Sequence, residues 1–552
     1  MINFLYRGDV MKIMVKVLCL LCLVGCIMNY HQSAVAQEMK TPYAPLELFD
    51  GRIRVSGQID QIAHVRFRTT RAERWARNSE LNTFRTNFSF EGGIFMVRDR
   101  DWELNLISHL YFSYEWMAQI DSQYKRAMPG YTQRNFLWSR DSEIIRELYF
   151  QFLQGAWDLR VGKQQVVWGE QLGVRTLDVV CPLDIRTEAI GLTEWENIRI
   201  GVWMLRGIYD VGDALPGQLS LEGIFIPFDF QPAQIPREGS FFGALFRPEP
   251  GSIPRNGYLD RLISYRYYRD ANMNSINNAE WGLRLRGYLL DYDLDWSIVY
   301  FHTIDDSGVW ADGGEGGHKA SQFFTQYNIA GLDVNPAKDI YDFKPYELMG
   351  FSLQRYFGGF LDSILRFEFV YEYHKHYNWQ DNTKTDSRGR ALKRVVKKDS
   401  IGWGLQVAKK LAWPEWLPYI YDWSRGKYID FDIAVNQLIW RDYDERFGDG
   451  DAQRGTGFRV NGQLHGKGDN PVTLLSWMIM THFLDDQIII INRGLYYLNS
   501  PSFSNGTSIS YRPGEHWSYV VSMTQRTGKR DTDPYSASEK KDYMTFQIKY
   551  VF

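Results

Sequence analysis

The chain has 552 residues, a formal net charge of −3, 16% aromatic residues and a mean hydropathy of −0.37. The near-neutral charge excludes the basic footprint of a nucleic-acid binder, and the hydropathy is too polar for a bundle of membrane helices. The length is large for one soluble domain, whereas abundant aromatics at low mean hydropathy fit a membrane β-barrel, in which lipid-facing and water-facing side chains alternate along each strand.

At the N-terminus, Lys12 and Lys16 precede the apolar run VLCLLCLVGCIM, which has the length of a signal-peptide core and is too short to span a bilayer. Ala34-Val35-Ala36 forms a small-x-small cleavage site, so a signal peptide over 1–36 is expected, with Gln37 as the mature start. The rival reading is a lipoprotein box at Leu23 to Cys26 with a lipidated Cys26; cleavage after Ala36 is favoured because a barrel needs no lipid anchor. Of the 4 cysteines, Cys19, Cys22 and Cys26 leave with the signal, so Cys181 has no internal disulfide partner. A short segment, 37–51, leads into a barrel expected over 52–552. It is too short for the plug domain of a 22-stranded transporter. No later stretch is continuously apolar over the ~20 residues a spanning helix needs, and a closed barrel is the remaining way to cross hydrocarbon with every amide paired.

Period-two alternation begins near 53–67 and 83–97. In WELNLISHLYFSYEW, Trp102, Leu104, Leu106, Leu110, Phe112, Tyr114 and Trp116 share one face, opposite Glu103, Asn105, His109, Ser113 and Glu115. Further stretches lie near 143–153, 156–162, 197–206 and 218–227. EWGLRLRGYLL turns Trp281, Leu283, Leu285 and Leu289 outward and Glu280, Arg284, Arg286 and Tyr288 inward. After 294–303 and 346–357, LRFEFVYEYH sends Leu365, Phe367, Phe369, Tyr371 and Tyr373 out, with Arg366, Glu368, Glu372 and His374 in. The pattern returns near 400–411, 428–440, 472–484, 486–498, 504–512 and 516–526, then in DYMTFQIKYVF. The upper count is about 18, but some stretches read as halves of one strand; about 16 strands are expected, within about 14–18 and even in number. The last strand ends on Phe552, a handle for the barrel-assembly machinery. The segments 305–319, 378–399 and 441–457 read as long extracellular loops and the proline-bearing 230–257 as a loop reaching the mouth. WPEWLPYIYDW, 413–423, reads as an interfacial helix or turn.

The most distinctive stretch is LRVGKQQVVWGEQLGVRTLDVVCPLDIR. Gly162, Lys163, Gln164, Val166, Trp168, Gly169 and Glu170, followed by Pro182, Asp184 and Arg186, resemble the mark of a Gram-negative outer-membrane family with a domain of unknown function: Gly-Arg/Lys-Gln-x-Val-x-Trp-Gly-Glu, then Asn-Pro-x-Asp-x-Arg. Cys181 stands where that mark has Asn. The likeness covers most of 150–375 and, more weakly, the C-terminal third. It implies an outer-membrane barrel concerned with hydrophobic compounds and brings no agreed mechanism.

Read from the residues, Trp157, Leu159 and Val161 face lipid, Asp158 and Arg160 face the lumen, and Gly162 breaks the strand. Lys163, Gln164, Trp168 and Glu170 then form either a constriction folded into the bore or a structural plug with Lys163 paired to Glu170. Lumen charges are mixed, Arg160, Arg284, Arg286 and Arg366 against Glu147, Asp158, Glu280, Glu368 and Glu372, which reads as mutually paired wall residues rather than an ion-selective ring. His374 and His376 share a face near Glu372, and Asp449 and Asp451 flank a loop glycine; both read as solvated groups rather than metal sites. No nucleophile elbow, zinc-protease helix, phosphate loop or haem attachment is present, so neither an enzyme nor a cofactor is expected. The sequence points to an outer-membrane, porin-like channel for uptake or export of a small solute, hydrophobic if the resemblance holds. The alternative is a barrel scaffold around a periplasmic or surface partner.

Overall fold

A computed structural model describes residues 46–66, 81–120, 144–171, 175–184, 198–215, 217–231, 233, 276–306, 309–310, 341–359, 362–385, 391–413, 428–443, 470–499, 502–528 and 542–552. The expected signal peptide, Arg186, Asp449, Asp451 and nearly all of 230–257, 305–319, 413–423 and 441–457 lie outside them.

Alternating residues build strands, and the strands close on themselves. The main sheet has 19 strands; one is the three-residue piece Leu46–Leu48 laid over the start of the first barrel strand, so 18 form the ring. In chain order they are β1 (Ile53–Arg66), β2 (Leu81–Arg98), β3 (Trp102–Glu115), β4 (Ile145–Gln154), β5 (Trp157–Gln164), β6 (Val202–Leu215), β7 (Gly217–Ile226), β8 (Glu280–Leu289), β9 (Leu294–Ile304), β10 (Pro345–Phe357), β11 (Ser363–Thr385), β12 (Ala391–Ala412), β13 (Tyr428–Trp440), β14 (Val472–Phe483), β15 (Ile488–Tyr497), β16 (Ser502–Tyr511), β17 (Trp517–Gly528) and β18 (Tyr543–Val551). Each pairs antiparallel with the next, and β18 returns to β1 from Gln58↔Val551 to Arg66↔Tyr543. No edge is left unpaired in the ring. Gly57 and Phe552 exchange two further backbone hydrogen bonds of 2.9 Å at the seam.

The count is 18 rather than about 16 because every alternating stretch is a separate strand. Stretches that read as halves are split by tight reversals: Gly155 (φ 55°) separates β4 from β5, and Leu484, Asp485 and Asp486, all at positive φ, separate β14 from β15. Two further expectations change. Gly162 does not break β5; it bends it at φ 140°, where a Cβ would lie 2.3 Å from the Leu148 carbonyl oxygen, and the strand runs on to Gln164. Most of 378–399 is no loop: β11 and β12 stay paired from Lys375↔Lys398 to Asp381↔Leu392 and form a hairpin standing above its neighbours. Both faces of that extension carry polar residues, so it lacks the apolar stripe by which the other strands are read.

The exterior is a belt of exposed apolar side chains, among them Leu159, Leu205, Leu283, Ile298, Leu405 and Ile433. Aromatic pairs flank it, such as Trp157–Tyr209 at the short-turn end and Trp281–Tyr300 at the other. Leu405, 42% exposed midway along the spanning part of β12, tests the belt. Leu405→Arg is expected to cost about 2–4 kcal/mol in lipid vesicles, read as a lowered urea midpoint of the heat-modifiable band on gels. An unchanged midpoint would contradict its lipid-facing position.

Candidate functional site

The connection after β5 turns into the barrel instead of away from it. Val166, Trp168, Leu177, Val180 and Cys181 pack against inward side chains of the wall: Val202 and Met204 of β6, Ile224 and Ile226 of β7, Val299 and Phe301 of β9, Leu348 of β10 and Val370 of β11. Trp168 is fully buried, its ring edge-on to Phe301 at 5.6 Å between centroids. The wall makes room where the segment comes close: a Cβ on Gly350 would lie 2.4 Å from Leu177 Cδ2, and one on Gly404 2.2 Å from Gln171 Oε1. In this sector both wall faces are apolar, the outer toward the belt and the inner toward the segment.

Burying a connection requires partners for its amides. Glu368, on the lumen face of β11, supplies them. One carboxylate oxygen accepts the backbone N–H of Glu170 and, at 3.0 Å, that of Gln171; the other accepts the N–H of Leu177 at 3.1 Å. The Glu170 carboxylate receives Arg284 of β8 at 3.4 Å. Asn436 of β13 donates to Gln171 Oε1 at 2.8 Å, and Thr176 donates to the same oxygen at 3.1 Å. Asp178 holds two guanidinium groups, Arg175 at 3.0 Å and Arg199 at 2.8 Å. At the root of the segment, Gln165 N–H donates to Glu147 at 2.8 Å and Val166 N–H to the Cys181 sulfur at 3.2 Å. Burial pushes the Cys181 thiol up to about 12, so it stays protonated and inert at neutral pH.

Of the residues singled out from sequence, Trp168, Glu170, Arg284 and Glu368 meet in this one assembly. Lys163 and Gln164 are buried at the end of β5, where Gln164 Nε2 reaches the Met204 carbonyl at 3.3 Å. Glu170 takes Arg284 as its ion-pair partner, not the Lys163 that the plug reading gave it. The other four lie apart. Arg160 is paired with Asp158 at 2.6 Å, Arg286 reaches Asp295 at 4.0 Å, Arg366 donates to Gln354 at 2.6 Å, and Glu280 accepts from Thr303 and from Ile304 N–H at 3.2 Å. Among the described residues Arg206 pairs with Glu222 at 2.8 Å and Lys375 with Glu372, whereas Arg366, Glu147, Glu280 and Glu368 are held by uncharged groups. Glu372 points inward and leaves His374 and His376 on the outside; among the described residues no three acidic, histidine or cysteine groups converge as metal ligands. Gln171, Arg175, Thr176, Asp178, Arg199 and Asn436 were not anticipated. For Gln171, Arg175, Thr176 and Asp178 the only signal was the density of polar residues within the motif-bearing stretch; Arg199 and Asn436 lie outside it and carried none.

The sequence model of a family described as "Protein of unknown function (DUF1302)" matches residues 138–486. No curated protein matches the sequence. Among solved structures, OpdK of Pseudomonas aeruginosa, determined with vanillate, superposes with a TM-score of 0.44 at 7% identity, over 91% of this chain and 98% of that one. OccAB3 of Acinetobacter baumannii gives 0.43 at 8% identity, over 91% and 99%. OccAB4 of the same organism gives 0.44 at 9% identity, over 92% and 98%. These are likenesses of outline.

Leu177 is fully buried in the apolar cluster. Leu177→Asp places a carboxylate there and is expected to expel the segment. Cys181 alkylation by a maleimide at pH 7.5 in detergent should be undetectable in the parent and accelerate at least about tenfold in the variant. Rapid labelling of the parent would contradict the buried seat.

Proposed function

The chain belongs to the DUF1302 family, and since that family is described only as of unknown function, we propose from the chain's own geometry that it is an outer-membrane channel for a small solute, its bore narrowed by the connection between β5 and β6. The location rests on the apolar outer belt together with the signal-peptide pattern over 1–36. The single observation that carries the channel reading is the Glu368 carboxylate binding three amides of a segment inside the barrel. A wall that merely had to be sealed needs no such clamp, since its strands already satisfy one another. A passage of defined shape needs a rigid inward element.

The apolar side chains of the segment are spent on packing against the wall. What they leave for the passage is polar: the Glu170–Arg284 pair, and Gln171 bonded to Thr176 and Asn436. Arg284, Thr176 and Asn436 are buried behind Glu170 and Gln171, which are half-buried, so the Glu170 carboxylate and the Gln171 amide are the groups a solute would meet, and the solute class favoured here is small and at least partly polar.

Planar-bilayer recording tests this directly. The wild type is expected to give steady single-channel currents. Trp168→Ala, Glu170→Gln and Glu368→Ala should each change the conductance, with Glu368→Ala giving the largest increase, about twofold, because the clamp itself is lost. Currents unchanged in all three would retire the constriction, and a silent barrel that co-purifies with a stoichiometric partner would replace the channel by a scaffold.

A further inference from the structure

We propose that the outer wall across β9–β12, at the long-loop end, binds the phosphate group of an outer-leaflet glycolipid; this rests on the outer-membrane location proposed above and not on conduction. Register puts His302, Glu347 and Tyr373 side by side on the exterior of β9, β10 and β11. Beyond Tyr373 the β11–β12 ladder slips between Glu372 and Lys375, and His374 sits at φ 55°, a left-handed conformation uncommon for a residue with a side chain. Asp399 holds this bulge in place: it accepts the His374 N–H at 3.0 Å and the Tyr371 hydroxyl at 2.6 Å.

The bulge sorts the side chains. Glu372 and Lys375 both turn inward and bond one another. His374 turns outward and stacks on Tyr373 with 3.6 Å between ring centroids. Re-aiming a side chain is what bulges are kept for. The next exterior pair across the ladder is His376↔Lys397. Together with Lys344 and His302 these residues line an outward-facing cavity of about 520 Å³.

Two lysines and three histidines therefore surround one carboxylate, Glu347, which is engaged by the Tyr300 hydroxyl. The cavity lies at the level of Trp281 and Tyr300, whose paired rings mark the headgroup zone. At that height the neighbour is lipid, and a pocket with two lysine ammonium groups beside imidazole N–H donors selects a phosphate ester over a neutral sugar or a zwitterion. The volume suits a glycosyl phosphate.

The test uses the full chain, folded and placed in nanodiscs containing either bisphosphoryl lipid A or its dephosphorylated form, with retained glycolipid counted by native mass spectrometry. The wild type should retain the phosphorylated lipid at least about tenfold better. The double variant His374→Ala, Lys397→Ala should lose that preference. Lys410→Ala, an exposed lysine at the opposite end of β12, should keep it. Equal retention of the two lipids by the wild type overturns the assignment, and so does displacement of bound lipid by millimolar inorganic phosphate, which would mark a site for the free anion. Gradient fractionation of cells separates the two readings: a barrel absent from the outer membrane removes the location, whereas a barrel present there with equal retention removes only this site.

Discussion

Three amides of a buried connection converge on the Glu368 carboxylate, and the arrangement of the lumen follows from that contact. An amide carried into a barrel without joining a strand ladder costs free energy unless it finds an acceptor. A carboxylate offers several acceptor sites at once, and each hydrogen bond to a charged group contributes about 1.5–3 kcal/mol. With the backbone anchored there, Trp168 and Leu177 reach their seats against Phe301 and Gly350. Glu170 then lies within reach of Arg284, and Gln171 within reach of Asn436.

The ring and the clamp are complementary. Closure of β18 onto β1 satisfies the wall and frees its inner face for other work. Over β6–β11 that face carries Met204, Ile224, Phe301, Leu348 and Val370, which would be misplaced in a water-filled bore but suit a packed interface. Elsewhere it carries polar groups bonded across strands, as in Asn87 to Asp60 at 2.9 Å and Gln406 to Asp432 at 2.6 Å. The lumen is thus divided into a dry sector that holds the segment and a polar remainder. At the long-loop end the β11 bulge makes a comparable division, placing Lys375 inside with Glu372 and His374 outside on Tyr373.

The strands were legible because lipid on one side and water on the other impose a period of two; each alternating stretch, down to the last at Tyr543–Val551, corresponds to one strand. Their number was underread because reversals such as the one at Gly155 are too tight to leave a loop-like gap. The upper β11–β12 hairpin was misread because pairing without an apolar face leaves no periodic signature. Glu368 was visible as an inward charge, but its partners were not. They are backbone amides 191 to 198 residues away, and an amide has no side chain by which a sequence could announce it. The pairing of Glu170 with the nearby Lys163, offered by one of the two readings of the motif, drew on sequence neighbours alone, whereas the fold gives Glu170 Arg284, 114 residues on.

Hydrogen exchange at the amides of Glu170, Gln171 and Leu177 tests the clamp most directly, in the detergent-folded wild type and in Glu368→Ala. All three are expected to exchange as slowly as wall-strand amides in the wild type and at least about tenfold faster in the variant, while the amides of β1 and β18 are unaffected. Fast exchange at these amides in the wild type, or equal protection after removal of the carboxylate, would contradict the clamp.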